Sequence, residues 1–547
     1  MEPMSRKRTR AVVIGLMFGM LLGALDQTVV GTAMPRIIAS LGGLNLYSWV
    51  FTAYMLTSTA SVPVFGKLSD LFGRKYFYLA GLVFFMLGSA LSGTSQSMTQ
   101  LIVFRGLQGL GGGVMMANSL AIVGDIFPPA QRGKWQGVMG AVFGLASIIG
   151  PTLGGYLTDQ LNWRWVFYIN LPAGLIAVLI LWFAMPAKQA DVEKRQIDFA
   201  GAAALILASV PMLLAFSWAG TKYAWGSPAI VGLLVGAAVF WVMFALIEMR
   251  AAEPILPPDL FKNNIFTVSS VIVFLTGMAM FGSIMFIPLF IQFVIGASAT
   301  NSGMLLTPMM LALVASSAAA GQVITRTGRY RTLAIAGVGI MGVGMWLLAG
   351  MNVHTTGAIA TRNMIMTGIG LGITMPVFMI SVQNSVAHAR LGVASAAVQF
   401  FRSIGGTIGV AVMGSLLTTR MNAEVARLVP PGFAKLMPGG VGGGGSAAGG
   451  GLQAMMSPDG MARLKQALSG PLGVFIEPVV QAYKLAVSAA IREVFLIGLV
   501  GVVVAWVAAF FLKEIPLRRT NKAPEAAERA LTLSLETEEG GTGGTPK

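Results

Sequence analysis

The sequence predicts an all-α polytopic membrane protein with about fourteen transmembrane helices. Three observations predict this fold class. Only 11% of the 547 residues are charged, whereas soluble domains carry about 25%. Apolar runs of about 18 residues or more recur along the chain, and each is long enough to cross a bilayer as a helix. Short related sequences recur in the two parts of the chain, which predicts two pseudo-symmetric bundles of six helices.

The predicted spans form two sets of six, separated by two inserted helices. They lie near 11–33, 47–67, 76–95, 100–123, 134–157, 163–185, 199–217, 227–249, 265–291, 302–323, 331–351, 357–380, 392–417 and 493–512. This order predicts an N-terminal bundle at 11–185, an inserted pair at 186–264 and a C-terminal bundle at 265–512. Residues 418–492 contain "PGGVGGGGSAAGGG", which is typical of flexible linkers, and are predicted as a long extracellular loop. The polar residues 513–547 are predicted as a cytoplasmic tail.

The Lys and Arg residues mark one side of the membrane. Alternate loops carry basic clusters such as Lys67, Arg74 and Lys75, while the opposite loops carry few basic residues. The positive-inside rule then places both termini in the cytoplasm, in a plasma or inner membrane. Because topology accounts for the net charge of +16, no nucleic-acid partner is expected. With no Cys and only two His, neither a disulfide nor a metal site is expected.

An internal repeat relates the two bundles. The stretch "GKLSDLFGRKY" (66–76) aligns with "GQVITRTGRYR" (321–331), so that Gly66, Gly73 and Arg74 match Gly321, Gly328 and Arg329. The stretch "RGLQGLGGG" (105–113) aligns with "RNMIMTGIG" (362–370), which pairs Arg105 with Arg362. Repeated halves with a substrate site between them, near the membrane midplane, are typical of secondary transporters.

Four motifs resemble the major facilitator superfamily, and specifically its fourteen-span drug:proton antiporters. They are "GKLSDLFGRK" (66–75), "LIVFRGLQGLGGG" (101–113), "GLASIIGPTLGGYL" (144–157) and "LDQTVVGTAMPRI" (25–37). The class usually has Asn where this chain has Gly31, and the resemblance covers about residues 10 to 515. It implies the major facilitator fold and export by alternating access, with the proton gradient as energy source and no cofactor.

Two buried charges are the main candidates for proton coupling or substrate binding. An ionisable residue inside an apolar span is functional by default, and Asp26 lies in such a span. It either exchanges a proton or acts as counter-ion to a cationic substrate; a cap on a helix break is the structural alternative. Arg105 has Asp26 or backbone carbonyls as its expected partners, and Gln108 lies one turn away. The resemblance implies proton coupling for Arg105, and Arg362 is expected to do the same in the second half.

Two further groups are candidates for conformational control. A cytoplasmic charge network is expected from Asp70, Arg74, Asp125 and Arg132, with Gly66 and Gly73 shaping its loop. Its alternative is ordinary juxtamembrane charge that sets topology. The second half has Thr325 where the first has Asp70, so the acidic part is one-sided. The exporter motif is expected to form a hinge or a close-packed seam through Gly150, Pro151, Gly154 and Gly155.

The substrate cavity is expected to be lined by adaptable and aromatic side chains. Its candidates are Met17, Met20, Met115, Met116, Met278, Phe286, Gln292, Asn363 and Phe378. The predicted function is export of amphipathic or cationic drugs or biocides; the alternative is export of an endogenous metabolite, lipid, siderophore or antibiotic. An enzyme is not expected, because the acidic residues are scattered and no P-loop occurs. The expected partners are membrane lipid, a small lipophilic substrate and protons. Some members of the resembling class work with a periplasmic adaptor protein, and others work alone. The chain is therefore expected either to bind such an adaptor or to act as a monomer.

Overall fold

The computed structural model describes residues 5–41, 46–186, 198–220, 222–251, 253–297, 299–387, 390–428 and 476–517. Twelve helices in these ranges are long and apolar enough to cross a membrane. Helices α2 and α5, with 26 and 32 residues, also reach that length and bring the number of membrane-length helices to fourteen. The predicted all-α polytopic class is confirmed.

The helices follow in three groups along the chain. The first half contains α1 (Arg6–Leu41), α2 (Tyr47–Phe72), α3 (Arg74–Thr94), α4 (Met98–Ile126), α5 (Pro129–Gln160), the short α6 (Trp165–Tyr168) and α7 (Asn170–Ala184). The inserted pair is α8 (Phe199–Trp218) and α9 (Pro228–Glu248). A 3-10 turn (Pro258–Lys262) leads to the second half, which contains α10 (Asn264–Phe290), a π turn (Ile291–Ile295), α11 (Ala299–Thr327), α12 (Arg331–Ala349), α13 (Gly357–Ser385), α14 (Leu391–Leu428) and α15 (Ile476–Phe510).

The turn between the second and third helices has a glycine with positive φ in both halves. Gly73 ends α2 with a φ of 102°, and Gly328 follows α11 with a φ of 70°. Both values lie in the left-handed region that side chains with a Cβ disfavour, which explains why the repeat keeps glycine at these positions. The two ends of the bundle can be named from these turns. We call the end where α1, α3 and α12 begin, with Arg6, Arg74 and Arg331, the basic end.

The two halves meet near the basic end. Along α5 and α11, a Cβ on Gly137 would lie 2.8 Å from Ala318 Cα, and one on Gly140 would lie 3.1 Å from Ser317 Oγ. From α13, Gln383 Nε2 donates a hydrogen bond to Leu120 O of α4 at 3.3 Å. Small residues allow this close approach of the helices. The basic end is therefore closed in this conformation.

The segment predicted as an extracellular loop is helical at both of its ends. Helix α14 continues to Leu428 and α15 begins at Ile476 without a break before the last span. The extensions stay together because apolar side chains on both helices are buried in the second-half core and Arg420 pairs with Glu493 at 2.6 Å. The Gly-rich residues between them, and the predicted tail beyond 517, lie outside the described residues.

Candidate functional site

Asp26 is the centre of a polar network inside the first half. Its side chain, on α1, is only 1% exposed. The carboxylate accepts hydrogen bonds from Arg105 Nη1 at 2.5 Å, Gln108 Nε2 at 2.8 Å and Asn170 Nδ2 at 3.2 Å. Because a guanidinium and two amides converge on it, its negative charge is both paired and hydrogen-bonded, as a buried charge requires.

Ser89 of α3 contacts two amides of the same network. Its hydroxyl accepts hydrogen bonds from Gln108 Nε2 at 3.1 Å and Asn170 Nδ2 at 2.9 Å, and donates one to Phe167 O at 2.9 Å. Asn170 Oδ1 is buried and has no hydrogen-bond partner among the described residues.

Arg105 joins three helices through one guanidinium. Besides Asp26 of α1, it contacts Gln108 Oε1 at 2.7 Å and donates from Nε to Val50 O of α2 at 3.4 Å. Its Cζ lies 4.4 Å from the centroid of the Tyr54 ring, which is a cation–π contact. Arg105 thus has both of the partners considered from the sequence, the carboxylate and a backbone carbonyl.

Glycines bring the helices close enough for these contacts. A Cβ on Gly88 of α3 would lie 2.5 Å from the backbone nitrogen of Gln108, and one on Gly109 of α4 would meet the carbonyl oxygen of Tyr54. Helix α4 starts at a fixed point because Ser97 accepts a hydrogen bond from the Gln100 backbone at 3.3 Å. Gly88 and Gly109 therefore occupy positions where any larger residue would push these helices apart.

The network contains three residues that the sequence analysis did not select. Tyr54, Ser89 and Asn170 are 3%, 0% and 1% exposed, respectively. A signal was available for Asn170, because it is the single amide side chain in the run "NLPAGLIAVLILWFA". Ser89 and Tyr54 carry no comparable signal, since serine and tyrosine are common on ordinary packed faces.

A second charged cluster lies at the basic end. Arg74 is 7% exposed, pairs with Asp70, and donates from Nε to Asp125 Oδ2 at 2.8 Å and from Nη1 to Ser69 Oγ at 2.7 Å. Asp70 Oδ2 in turn accepts a hydrogen bond from the backbone nitrogen of Val393 at 2.8 Å, in the first turn of α14. We call Asp70, Arg74, Asp125 and Val393 the basic-end clasp, because it connects the two halves.

The packing around the clasp is tight. A Cβ on Gly66 would lie 2.5 Å from Ala396 Cβ, and one on Gly392 would meet both Asp70 and Arg74. The positive end of the α14 dipole faces the Asp70 carboxylate, which stabilises the contact. Asp70, whose role topology alone did not explain, therefore connects the halves, and Gly66 gives α14 room to approach.

Arg132 lies beside the clasp and is 2% exposed. It donates to the carbonyl oxygens of Gly124 at 2.7 Å and Phe127 at 2.9 Å, at the end of α4. Its Nη1 also reaches Gln383 O of α13 at 3.5 Å. Of the predicted network, the carboxylates of Asp70 and Asp125 converge on Arg74, while Arg132 completes the end of α4 and contacts the second half.

The exporter motif forms a seam between α5 and α1. A Cβ on Gly150 would collide with Thr28, whose Oγ1 donates to Ala146 O at 3.3 Å. Gly154 O accepts a hydrogen bond from Thr158 Oγ1 at 2.6 Å, whereas no atom of the described residues lies within 4 Å of a Cβ on Gly155. Pro151 lies within α5, and its side chain is outside the described residues. The close contact is therefore made at Gly150.

The candidates for the cavity lining divide into two groups. Those that are almost fully buried, at 5% exposure or less, are Met20, Met115, Phe286, Asn363 and Phe378. Asn363, for example, donates to Leu347 O at 2.9 Å and fastens α13 to α12. Those that keep accessible surface are Met17, Met116, Met278 and Gln292. The second group keeps surface that a small molecule can contact.

The structure corrects the pairing of Arg362 with Arg105. The glycine contacts of α4 recur in α13 with an offset of 259 residues: Gly111 meets Phe85 of α3, and Gly370 meets Met341 of α12. In this register Arg105 corresponds to Met364, two positions from Arg362. A slip of two residues turns a helix position by about 200°. Arg362 is accordingly exposed and borders a surface pocket of about 270 Å³ with Trp346 and Arg492.

Two bundles joined at one end, with an ion pair buried among apolar helices, define a multi-pass membrane transporter. Residues 16–410 match the Major Facilitator Superfamily, and the chain belongs to this family. The resemblance seen in the sequence motifs is confirmed. Among the described residues, no group of three or more His, Asp or Glu is placed to hold a metal ion.

Similar proteins of Bacillus subtilis (strain 168) carry multidrug names. The chain is 41% identical over 531 residues to the "Multidrug transporter protein MdtP", covering 96% of each chain. It is 40% identical over 412 residues to "Multidrug resistance protein 3", covering 75% of this chain and 80% of the relative. Among solved structures, a bacterial homologue of the human lysosomal transporter Spinster has a TM-score of 0.56 at 13% identity, covering 93% of this chain and 98% of that one. The last similarity shows the shared fold alone.

Proposed function

We propose that this chain is a proton-coupled antiporter that exports amphipathic, cationic drugs or biocides by alternating access. The observation that carries the proposal is the buried Asp26–Arg105 ion pair, held by Gln108 and Asn170 inside apolar helices. The multidrug names of the relatives support the substrate class. The proton gradient supplies the energy, and no cofactor takes part.

The proton and the substrate compete for one carboxylate. A proton on Asp26 removes the negative charge that Arg105 faces, and a buried charge without its partner is strongly unfavourable. The network must therefore rearrange when Asp26 is protonated. A cationic substrate can occupy the carboxylate only after the proton has left. Because the proton and the substrate cannot occupy Asp26 together, one must leave before the other binds, and this couples their exchange.

The basic-end clasp supplies the second element of the proposed cycle. Its contact from Asp70 to the first turn of α14 exists only while the basic end is closed. Opening that end must break this hydrogen bond and separate Gly66 from Ala396. We propose that loading from the cytoplasmic side follows this step and that release takes place at the opposite end.

The proposal also includes the setting of the protein. We place it in a plasma or inner membrane, surrounded by lipid, with both termini in the cytoplasm. We propose that the chain works as a monomer. A periplasmic adaptor, where present, would dock at the end opposite the basic end.

Transport by reconstituted vesicles tests the exchange. An imposed proton gradient should drive a fluorescent cationic dye against its own gradient, with measurable proton counterflow. The Asp26→Asn variant keeps a side chain of the same shape but does not titrate, so gradient-driven export should fall to background. Asp259→Asn is the matched control, because Asp259 is exposed and pairs with Arg390 on the surface. Wild-type proton stoichiometry in Asp26→Asn would overturn the proposed role of Asp26.

A further inference from the structure

Arg402 is a second arginine deep in the bundle, and unlike Arg105 it has no ion-pair partner among the described residues. It lies eleven residues after the start of α14 at Leu391. At 1.5 Å per residue this is about 16 Å along the helix, close to the middle of a hydrocarbon core of about 30 Å. No ion pair, hydrogen bond or ring contact joins its side chain to another described residue. An arginine at this depth without a partner requires an explanation.

Arg402 keeps accessible surface on a helix that packs inside the bundle. Its side chain is only partly buried. Its backbone is held against α10, where a Cβ on Gly277 would lie 2.6 Å from the Arg402 carbonyl oxygen. No carboxylate among the described residues pairs with the guanidinium. The guanidinium therefore remains available to a ligand.

Arg402 lies between the side of α14 that contacts the first half and the side that packs against α10. Gly392 and Ala396 of α14 contact the basic-end clasp and Gly66. Steps of three residues from Ala396 pass Gln399 and Arg402 and reach Gly405, where a Cβ would collide with the Phe274 carbonyl oxygen of α10. Gln399 is also partly accessible, and its amide has no hydrogen-bond partner among the described residues. Unpaired donors thus follow the closed contact directly, at the interface where transporters of this architecture bind their substrates.

We propose that Arg402 is a substrate-binding residue that takes the anionic group of an amphipathic substrate, with Gln399 as a supporting donor. A guanidinium offers a planar fork of donors that matches a carboxylate or sulfonate in two parallel hydrogen bonds. The guanidinium attracts the anionic group of a zwitterion, whereas a purely cationic drug gains no contact from it. The inference therefore adds zwitterionic amphiphiles, which present an anionic group to Arg402, to the cationic substrates of the proposed function. This inference rests on the proposed function for the transport step, but its binding step stands independently.

Two dyes with the same ring system provide the test. Rhodamine B carries a free carboxylate beside its cationic ring, and rhodamine B ethyl ester is a cation only. Fluorescence anisotropy with the purified full chain measures the affinity for each dye. We expect Arg402→Gln to weaken rhodamine B binding about tenfold, which corresponds to about 1.4 kcal/mol, and to leave the ester within about twofold. Arg402→Lys keeps the charge without the fork and should lose about threefold.

Arg427→Gln is the matched control, because Arg427 lies on the same helix and its side chain is 78% exposed. A melting curve for each variant reports folding, and if Arg402→Gln does not fold, the comparison of Arg402→Lys with the wild type carries the test. An equal loss for both dyes, no loss for either, or a wild type that does not bind rhodamine B would overturn the proposal.

Transport of the same dyes separates the two proposals. If a proton gradient drives no export but the binding preference depends on Arg402, the proposed function fails and the anion site stands. If the gradient drives export and Arg402→Gln exports both dyes at wild-type rates, the function stands and the anion site fails.

Discussion

Replacing Asp70 by Asn should open the basic end of the transporter. Asp70 receives the Val393 backbone hydrogen bond at 2.8 Å and pairs with Arg74. A hydrogen bond to a charged group contributes about 1.5–3 kcal/mol, against about 0.5–1.5 kcal/mol for a neutral one. The α14 dipole adds about 0.3–1 kcal/mol for a carboxylate only. The loss of about 1–2 kcal/mol from the closed state shifts the equilibrium about 5- to 30-fold toward the open state.

A single introduced thiol can measure this shift, because the chain contains no cysteine. Ser317 is 1% exposed and faces Gly140 across the contact between α11 and α5. In a Ser317→Cys background, a maleimide reagent reacts only when the basic end opens. Labelling should be about 5- to 30-fold faster with Asp70→Asn, while expression remains normal.

Asp259→Asn is the control for this measurement. Asp259 also lies at the basic end, but it and its partner Arg390 are 51% and 48% exposed. Exposed ion pairs contribute about 0–1 kcal/mol, so the labelling rate should change by less than about fivefold. Equal labelling of the Asp70→Asn protein and its parent would refute the role of Asp70 in closing this end and leave it a topological residue.

Two further predictions concern the buried network. Gly88→Ala should lower the melting temperature and the yield of folded protein in detergent, because the new Cβ would lie 2.5 Å from the Gln108 backbone nitrogen. Gly236→Ala should be tolerated, because no described residue lies within 4 Å of the new Cβ; equal stability of the two variants would contradict this packing. Asn170→Leu should destabilise the protein by about 1–3 kcal/mol, because Asp26 and its neighbours lose a donor. Thermal unfolding checks this value, and an unchanged melting temperature would show that Asn170 does not support the carboxylate.

The fold class was readable from the sequence because the bilayer imposes a simple rule. Every backbone polar group must be satisfied within the membrane, so a long apolar run becomes a helix whatever its neighbours are. The same rule makes a charge inside such a run conspicuous, which is why Asp26 and Arg105 could be selected. Arg402 carries the same signal inside the predicted span at 392–417, but it lies in none of the four motifs.

The alignment of the two halves, and with it the rotation of each helix, could not be predicted from the sequence in the same way. The sequence repeat aligned Arg362 with Arg105, but the contacts of Gly111 and Gly370 define an offset two residues longer. Sequence similarity over a few glycines cannot fix the rotation of a helix, since several glycines can be superposed on one another. Only the packing against α3 and α12 determines which side of each helix faces inward.

The sequence by itself determined the helices, their order, the basic side of the membrane and the identity of the main buried charges. Local chemistry is sufficient for these, because hydropathy, turn glycines and basic clusters act over a few residues. The tertiary structure alone decided the partners. It joined Asp26 to Arg105 across 79 residues and Asp70 to Val393 across 323. It added Ser89 and Asn170 to the network and gave Arg402 no partner among the described residues, because these relations depend on how separate helices pack in space.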